Sequence, residues 1–374
     1  MLLKGIKVLD LSNLLPGPMC SLFLADLGAD VIKVESLQGD LFRKFEVRNG
    51  KGPYFSALNR NKKSIAVNLK TPQGKKIIIK LARNADVIIE SFRPQKIEAL
   101  GLGYNDIKKI NSKIIYCSIT GYGHSSLNKN KFKAGHDLNF ISLSGLLDVI
   151  SSKPFVPGIQ IADFSSALMA VFSITASLFY RERTGKGNYC DISMHNSTLS
   201  LIGMHIAKAS IAGSKKSIIS GTMPCYNVYQ TKDSRYVSLG AIEEKFWKSF
   251  CGCVGRDDLI LRQFDESAVK DMRKLFRTKT MPQWQKLNEK NDFCCEPVKK
   301  IEEVQKDNYL KNEKILMELD GFTQVAMPIV FSSAANRLKY RKSPSLGEHT
   351  KEILLGLGYN KKDLDKLRIN GIIN

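Results

Sequence analysis

The chain has 374 residues, 43% hydrophobic and 25% charged, with a formal net charge of +21. This is the balance of a folded globular protein, long enough for two domains whose cores need no disulfides. The positive excess is spread as scattered lysines with short groups such as "NRNKKS" (59–64) and "NKNKFK" (128–133), without the dense basic tract, aromatic signature or zinc-finger spacing of a nucleic-acid reader. Nucleic acid is therefore set aside as a partner, and anionic small molecules are kept.

The opening "MLLKGIKVLDLS" runs straight into a strand-like pattern, with none of the regions of a signal peptide. The eight cysteines are then expected as free thiols in a reducing compartment, and a cytoplasmic location follows. "CGC" (251–253) and "CC" (294–295) lack the paired spacing of a zinc site, so no metal is expected.

"IKVLDL" (6–11) reads as a strand, "PGPMCSLFLADLGA" (16–29) as a helix and "DVIKVE" (30–35) as a second strand. "SIAVNL" (64–69) is a third strand and "TPQGKKIIIKLARN" (71–84) a helix with Pro72 near its start. "DVIIES" (86–91), a further helix and "KIIYCSI" (113–119) continue the alternation. Strand–helix repetition predicts parallel strands with right-handed crossovers, hence a doubly wound α/β sheet. "GLGYND" (101–106) has Asp106 where a dinucleotide fingerprint needs its third glycine, and "RTGKGN" (183–188) is no P-loop.

Asp163 precedes the apolar run "FSSALMAVFSITASLFY" (164–180), too short and too rich in Ser and Thr for a membrane span and expected as a buried core helix. Asp163 would be its N-cap, Arg181 and Arg183 suit its end, and Gly185 its termination. "NYCDIS" (188–193) is another strand, followed by a helix to about 212. From 213, "GSKKSIISGTMPCYN" reads as an extended connection. "CYNVYQTKDSRYVSLGAIE" (225–243) reads as two strands about the turn "KDSR", "MPQW" (281–284) opens a helix, "VAMPIVFSS" (325–333) is extended, and "SLGEHTKEILLGLGY" (345–359) closes the chain as a helix.

Two polar groups stand out. His136, in "KAGHDLNF" (133–140), is of a residue type that can give or take a proton, or can simply be a hydrogen-bonded core histidine. Asp163, at a helix start, can cap the helix or work beside outward-pointing N–H groups that favour negative charge.

The whole chain resembles the family III CoA-transferase (CaiB/BaiF) superfamily. The resemblance is carried in order by "GIKVLDLSNLLPGPMCSLFLADLGADVIKVE" (5–35), "NRNKKSIAVNLKTPQG" (59–74), "ADVIIESFRPQKIEALGLGY" (85–104), "SITGYGHSS" (118–126), "AGHDLNFISLSGLL" (134–147), "IADFSSALMAV" (161–171), "RTGKGNYCDISM" (183–194), "PCYNVYQTKDSRYVSLGAIEEKFW" (224–247) and "LGEHTKEIL" (346–354). Transferases of this superfamily use the Asp matching Asp163 as a nucleophile and typically carry a glycine-rich loop. Its alpha-methylacyl-CoA racemase branch pairs that Asp with a His in "AGHD-x-N", matching His136, and has a Glu matching Glu243 in "GAIEEKF". This chain has both motifs and no run of glycines, so it resembles the racemase branch.

What the resemblance implies is an enzyme that interconverts (2R)- and (2S)-2-methylacyl-CoA thioesters by moving the α-proton. His136 and Asp163 would be the acid/base pair, Glu243 would orient His136, and a backbone N–H of the helix after Asp163 would stabilise the enolate oxygen. The alternative is a CoA-transferase working through a thioester on Asp163. CoA would be part of the substrate, with no separate cofactor. Its adenine and phosphate ends would lie near Ala66, Val67, Asn68, Leu69 and Arg93, and its thioester end along Gly135, Asp137, Leu138, Asn139 and Phe140. On their own residues, Arg93 reads as a surface arginine and Glu243 as an exposed helix-start glutamate. The implied fold is a large Rossmann-like domain (1–212 and 330–374) with a small α/β domain (213–329), in an interlocked homodimer. Two positions depart from the racemase pattern. Ser36 stands where a CoA-holding base is common, with Arg43, Lys44 and Lys62 as nearby substitutes. Ile159 stands where Asp163 would find an Asn partner, and strand alternation would turn Gln160 the other way.

Overall fold

The computed structural model describes residues 1–47, 50, 52–212, 218–332 and 339–374. Its first elements alternate: β1 (Lys7–Asp10), α1 (Pro16–Asp26), β2 (Asp30–Glu35), α2 (Pro53–Asn59), β3 (Lys63–Ala66), α3 (Pro72–Ala82), β4 (Val87–Glu90), α4 (Lys96–Ala99), α5 (Tyr104–Ile110) and β5 (Ile115–Thr120). There follow α6 (Asp137–Leu143), α7 (Leu146–Ile150), α8 (Ile161–Thr184), β6 (Asn188–Ser193), α9 (Met194–Leu201) and α10 (Gly203–Ala212). The strands form one parallel sheet in the order β3-β2-β1-β4-β5-β6, the doubly wound arrangement expected from the alternation.

Burial on both faces explains the strand composition. Every residue of β4 and β5 is buried. Their side chains alternate between two cores: Ile88 and Tyr116 meet α3 and α5 on one face, while Val87, Ile89, Ile115 and Cys117 meet α1 and α8 on the other.

The β1–β2 half also buries charge. Asp10 accepts from the hydroxyls of Ser12 and Ser21 and from Lys62 Nζ at 3.3 Å. Lys33 Nζ meets Asp40 at 3.0 Å and the Ser12 carbonyl at 3.0 Å, and Arg43 forks onto Glu35 at 2.7 and 2.8 Å. Burial pushes the Asp10 carboxyl up, but the Lys33 and Lys62 ammoniums and the two hydroxyls outweigh it and hold it at about 2.

β3 is an edge strand, and distant residues satisfy its outer side. Ser64 N donates to His349 Nδ1 and Ala66 N to Thr350 Oγ1, both at 3.3 Å, while Asn68 N donates to the Ile372 carbonyl at 2.8 Å. Such sealing removes a row of unpaired groups that would otherwise invite another strand.

The remaining elements are β7 (Tyr226–Gln230), β8 (Tyr236–Gly240), α11 (Glu244–Cys253), α12 (Val269–Phe276), α13 (Met281–Asn291), β9 (Cys295–Pro297), α14 (Ile301–Gln305), α15 (Asn308–Asn312), β10 (Leu316–Leu319), β11 (Phe322–Val325), α16 (Thr350–Gly356) and α17 (Lys361–Ile369). The antiparallel β7–β8 pair and the "MPQW" helix start stand where the sequence put them. The 345–359 helix is not the last: α16 is followed by α17, capped by Asn360.

Contacts divide the chain into two units, 1–145 with 156–201 and 309–374, and 146–155 with 202–308. These divisions fall at 202 and 309, whereas the sequence suggested 213 and 330; the β10–β11 hairpin contacts α2 and so groups with the first unit. Residues 213–217 of the expected connection, and Ser333 of the extended 325–333 stretch, lie outside the described residues. The second unit is built on aromatic packing: the Phe276 ring lies 4.5 Å from Tyr229 and 4.4 Å from Trp284, whose Nε1 donates to the Phe276 carbonyl at 3.0 Å.

α8 differs from its expectation in two ways. It starts at Ile161 after Gln160, so Asp163 is its third residue rather than its cap. Residues 154–160 form no strand, so alternation does not govern Ile159 and Gln160. α8 is also only half a core helix. Ala162, Ala167, Ala170 and Ile174 are buried, whereas Leu168, Phe172 and Phe179 are 53%, 70% and 66% exposed. By length and hydropathy it is the one described helix that would be able to cross a membrane, with 44% of its most apolar window buried within the protein. Its end follows expectation: Gly185, at φ +70°, donates its N–H to the Arg181 carbonyl at 2.7 Å.

Candidate active site

In a doubly wound sheet the crevice lies beyond the C-terminal strand ends, where the order reverses. Here that point is between β1 and β4. A cavity of about 320 Å³ occupies it, lined by Asn13 and Leu14 after β1, Ser91 to Pro94 after β4, Gly121 after β5, and further by Lys131, Lys133, Gly135, His136, Phe140 and Asp163. His136 and Asp163, 27 positions apart in sequence (163 − 136), thus line one cavity.

Local structure explains how each is carried. Phe140 is buried against Gly121 and Gly135; a Cβ on either would fall 2.7 or 2.8 Å from its ring, so both must be glycine for the loop to close this tightly. His136 stands outside helical geometry at the start of α6, where its N–H donates to Asn139 Oδ1 at 3.0 Å and its side chain is exposed. Asp163 is half-buried in the first turn of α8. Asp137 Oδ1 accepts from the N–H of Ala162 at 2.6 Å and of Asp163 at 3.2 Å. Asp137 thus engages the N–H groups of Ala162 and Asp163, while that of Phe164, the first after Asp163, donates to the Gln160 carbonyl at 3.0 Å. The N–H groups of Asp137 and Leu138, at the start of α6, have no partner among the protein's described hydrogen bonds.

Burial, and then the Asp137 carboxylate, push the Asp163 carboxyl up to about 7. No hydrogen bond reaches that carboxyl among the described residues, in keeping with Ile159 standing where an amide partner was expected. A carboxyl raised in the folded state costs stability as it ionises: the cost is absent below about pH 4, grows through pH 7 and is complete above. Asp163→Asn should therefore stabilise the fold by about 1–3 kcal/mol at pH 8 and leave it unchanged near pH 3.5, as read from paired urea titrations.

Two unforeseen contacts shape the walls. Buried Glu90, pushed up to about 7 by burial, accepts the Phe92 N–H at 2.8 Å and so fixes the turn that carries Arg93. Asp191 accepts the His124 N–H at 2.8 Å and meets Nδ1 at 3.1 Å, anchoring the loop that leads to Lys131, Lys133 and His136; this hydrogen bond lifts His124 above the ordinary histidine range.

A second cavity of about 560 Å³ adjoins the first, since Asn13, Leu14 and Phe92 line both. Its walls are mostly apolar, with Leu11, Val34, Leu37, Val67, Leu69 and Leu100, and its cations are Lys70 and Lys96. Val67, Asn68, Leu69 and Ser36 all line it. Ala66 lies fully buried in the sheet and lines neither cavity. Arg43 and Lys62 do not replace a base at Ser36, because Glu35 and Asp10 already hold them, and Lys44 also lies outside this lining. Leu138 and Asn139 are exposed on α6, outside the cavity lining, and Asp137 turns to α8. Glu243 belongs to the second unit, exposed before α11, while its neighbour Glu244 pairs with Lys248 at 2.5 Å. Lys131 and Lys133 were visible in the sequence only as part of a basic group, and Asn13, Leu14, Phe92, Lys70 and Lys96 carried no signal beyond their places after strands.

Comparison with known proteins gives the family. The chain is 33% identical to succinyl-CoA:glutarate CoA-transferase of Mus musculus, over 99% of this chain and 90% of that one. It is 32% identical to alpha-methylacyl-CoA racemase of Homo sapiens, over 100% and 98%. A crystal structure of a CaiB/BaiF family protein from Brucella suis superposes with a TM-score of 0.84 at 27% identity, covering 95% of this chain and 99% of that one. With the family model of CoA-transferase family III matching residues 3–350, the chain belongs to that family.

Proposed function

We propose that the protein interconverts (2R)- and (2S)-2-methylacyl-CoA thioesters by 1,1-proton transfer. The observation that carries this reading is the presence of His136 and Asp163 in one cavity. One group takes the α-proton from C2, the C–H pair moves into the enolate, and the conjugate acid of the other returns a proton to the opposite face. Each group ends the turnover having exchanged protonation state with the other. Proton transfer is most effective when the group titrates near the working pH, and an Asp163 carboxyl near 7 meets that condition. The enolate oxygen is assigned to the N–H groups of Asp137 and Leu138, since those of Ala162 and Asp163 are engaged.

In this reading CoA lies along both cavities. Its adenine packs against the apolar walls near Val67 and Leu69, and its phosphates meet Arg93, Lys131, Lys133, Lys70 and Lys96. Glu243 keeps only the role that the resemblance gives it. A homodimer fits the exposed apolar stripe of Leu168, Phe172 and Phe179, which a second copy would cover.

Similarity to a succinyl-CoA:glutarate CoA-transferase favours a second reading, in which the Asp163 carboxylate attacks the thioester and passes CoA between two acids. One assay separates them. A single enantiomer of a 2-methylacyl-CoA is incubated in deuterated water, with and without a carboxylate acceptor. The racemase incorporates α-deuterium and inverts configuration without acceptor. A transferase needs the acceptor, leaves the α-proton in place and yields an Asp163 thioester that hydroxylamine traps.

A further inference from the structure

We propose that Asp137 is a positioning residue that binds the first turn of α8 to the start of α6, and so holds the Asp163 carboxyl in register with His136. The inference rests on the racemase reading for its catalytic consequence, and on geometry for the placement. Asp137 follows His136 directly in the chain, and its Oδ1 accepts from Ala162 N at 2.6 Å and Asp163 N at 3.2 Å. One carboxylate therefore ties the backbone of both acid/base groups. A carboxylate on the first N–H groups of a helix also takes up donors that would otherwise stabilise an ionised Asp163. Asp137 thus acts on Asp163 twice, by removing donors and by repulsion. The other charged or titratable side chains lining the same cavity are His136, Arg93, Lys131 and Lys133, and of the elements packed on α8, α9 carries His195, β6 carries Asp191 and α1 carries Asp26. Among these the Asp137 charge is the one that lifts Asp163.

Partial burial sets the Asp137 carboxylate apart from a solvated surface group, and its turn towards α8 sets this side chain, unlike the Asp137 backbone N–H, apart from a substrate contact. The role therefore differs from substrate binding, and it predicts an effect on kcat and on pH dependence with KM little changed.

The test uses the full chain with Asp137→Asn, which keeps an acceptor and removes the charge, and Asp137→Ala, which removes both. The Asp163 titration is followed by the carboxyl ¹³C resonance that disappears in Asp163→Asn, a readout that needs no turnover. In Asp137→Asn the Asp163 midpoint should fall by about one pH unit, as expected on losing a nearby like charge. The pH profile of α-proton exchange should follow it, with KM within about twofold. In Asp137→Ala, kcat for the enantiomer served by Asp163 should fall at least ~10-fold, with Asp137→Asn recovering most of it. An Asp163 midpoint unmoved in Asp137→Asn, with kcat unmoved in Asp137→Ala, overturns the proposal. A wild-type protein that shows the shifted titration without exchanging α-protons supports the placement and overturns the racemase reading instead.

Discussion

In His136→Ala, exchange of the α-proton with solvent deuterium falls by about 10²–10⁴-fold for one enantiomer of a 2-methylacyl-CoA and persists for the other. The asymmetry follows from the division of labour. With the imidazole gone, Asp163 still removes the proton on its own face, trades it with solvent and returns it to that face. Deuterium then enters without inversion. Racemisation is lost for both enantiomers, because each direction needs both groups. Separate assays of the two enantiomers, by deuterium content and by chiral separation, read these outcomes independently. Exchange unchanged for both would remove His136 from the mechanism. Exchange lost for both would make Asp163 something other than the second base.

Asp10→Ala should cost about 3–5 kcal/mol of stability, the range for removing one partner of a buried ion pair. Asp10 is 0% exposed, and its carboxylate faces Lys62 while lying in the field of Lys33, both of them buried. Its removal leaves buried Lys62 with only the neutral Pro18 carbonyl and Asn59 amide, leaves Lys33 to Asp40 and the Ser12 carbonyl, and strips the Ser12 and Ser21 hydroxyls of their acceptor. The folded carboxyl sits at about 2 against an ordinary 3.8, so its stabilisation is complete above pH 4 and is lost as the pH falls towards 2. Urea titrations at pH 7 should show the full loss in the variant. The acid limb of wild type between pH 4 and 2 should be steeper than that of the variant. A loss below about 1 kcal/mol would mean that the network relaxes around the deletion.

The sheet was legible because its central strands are buried on both faces and therefore read as near-continuous apolar runs, as in "DVIIES" and "KIIYCSI", punctuated by helices of a different period. The site was legible in its two reactive groups but not in its walls. His136 and Asp163 stood out through residue type and through resemblance. Leu14, Phe92, Lys70 and Lys96 enter only because strand ends converge at the reversal point, a property of the strand order rather than of any local pattern. The start of α8 was misplaced for a related reason. Asp163 looks like a cap, but the carboxylate that engages the first N–H groups comes from Asp137, 26 positions earlier (163 − 137), and no local rule reveals a cap supplied from another segment. Glu243 illustrates the opposite limit, since its identity was read from a motif while its side chain makes no cap hydrogen bond in its own unit.

The seal on β3 has a consequence for the order of events in synthesis. Ser64 and Ala66 wait for His349 and Thr350, separated from them by 285 and 284 positions. At about 5–20 residues per second, a ribosome needs roughly 15–55 s to make that interval. For that time the outer edge of β3 lacks the partners that later cover it, and an uncovered edge is a template for pairing with another chain.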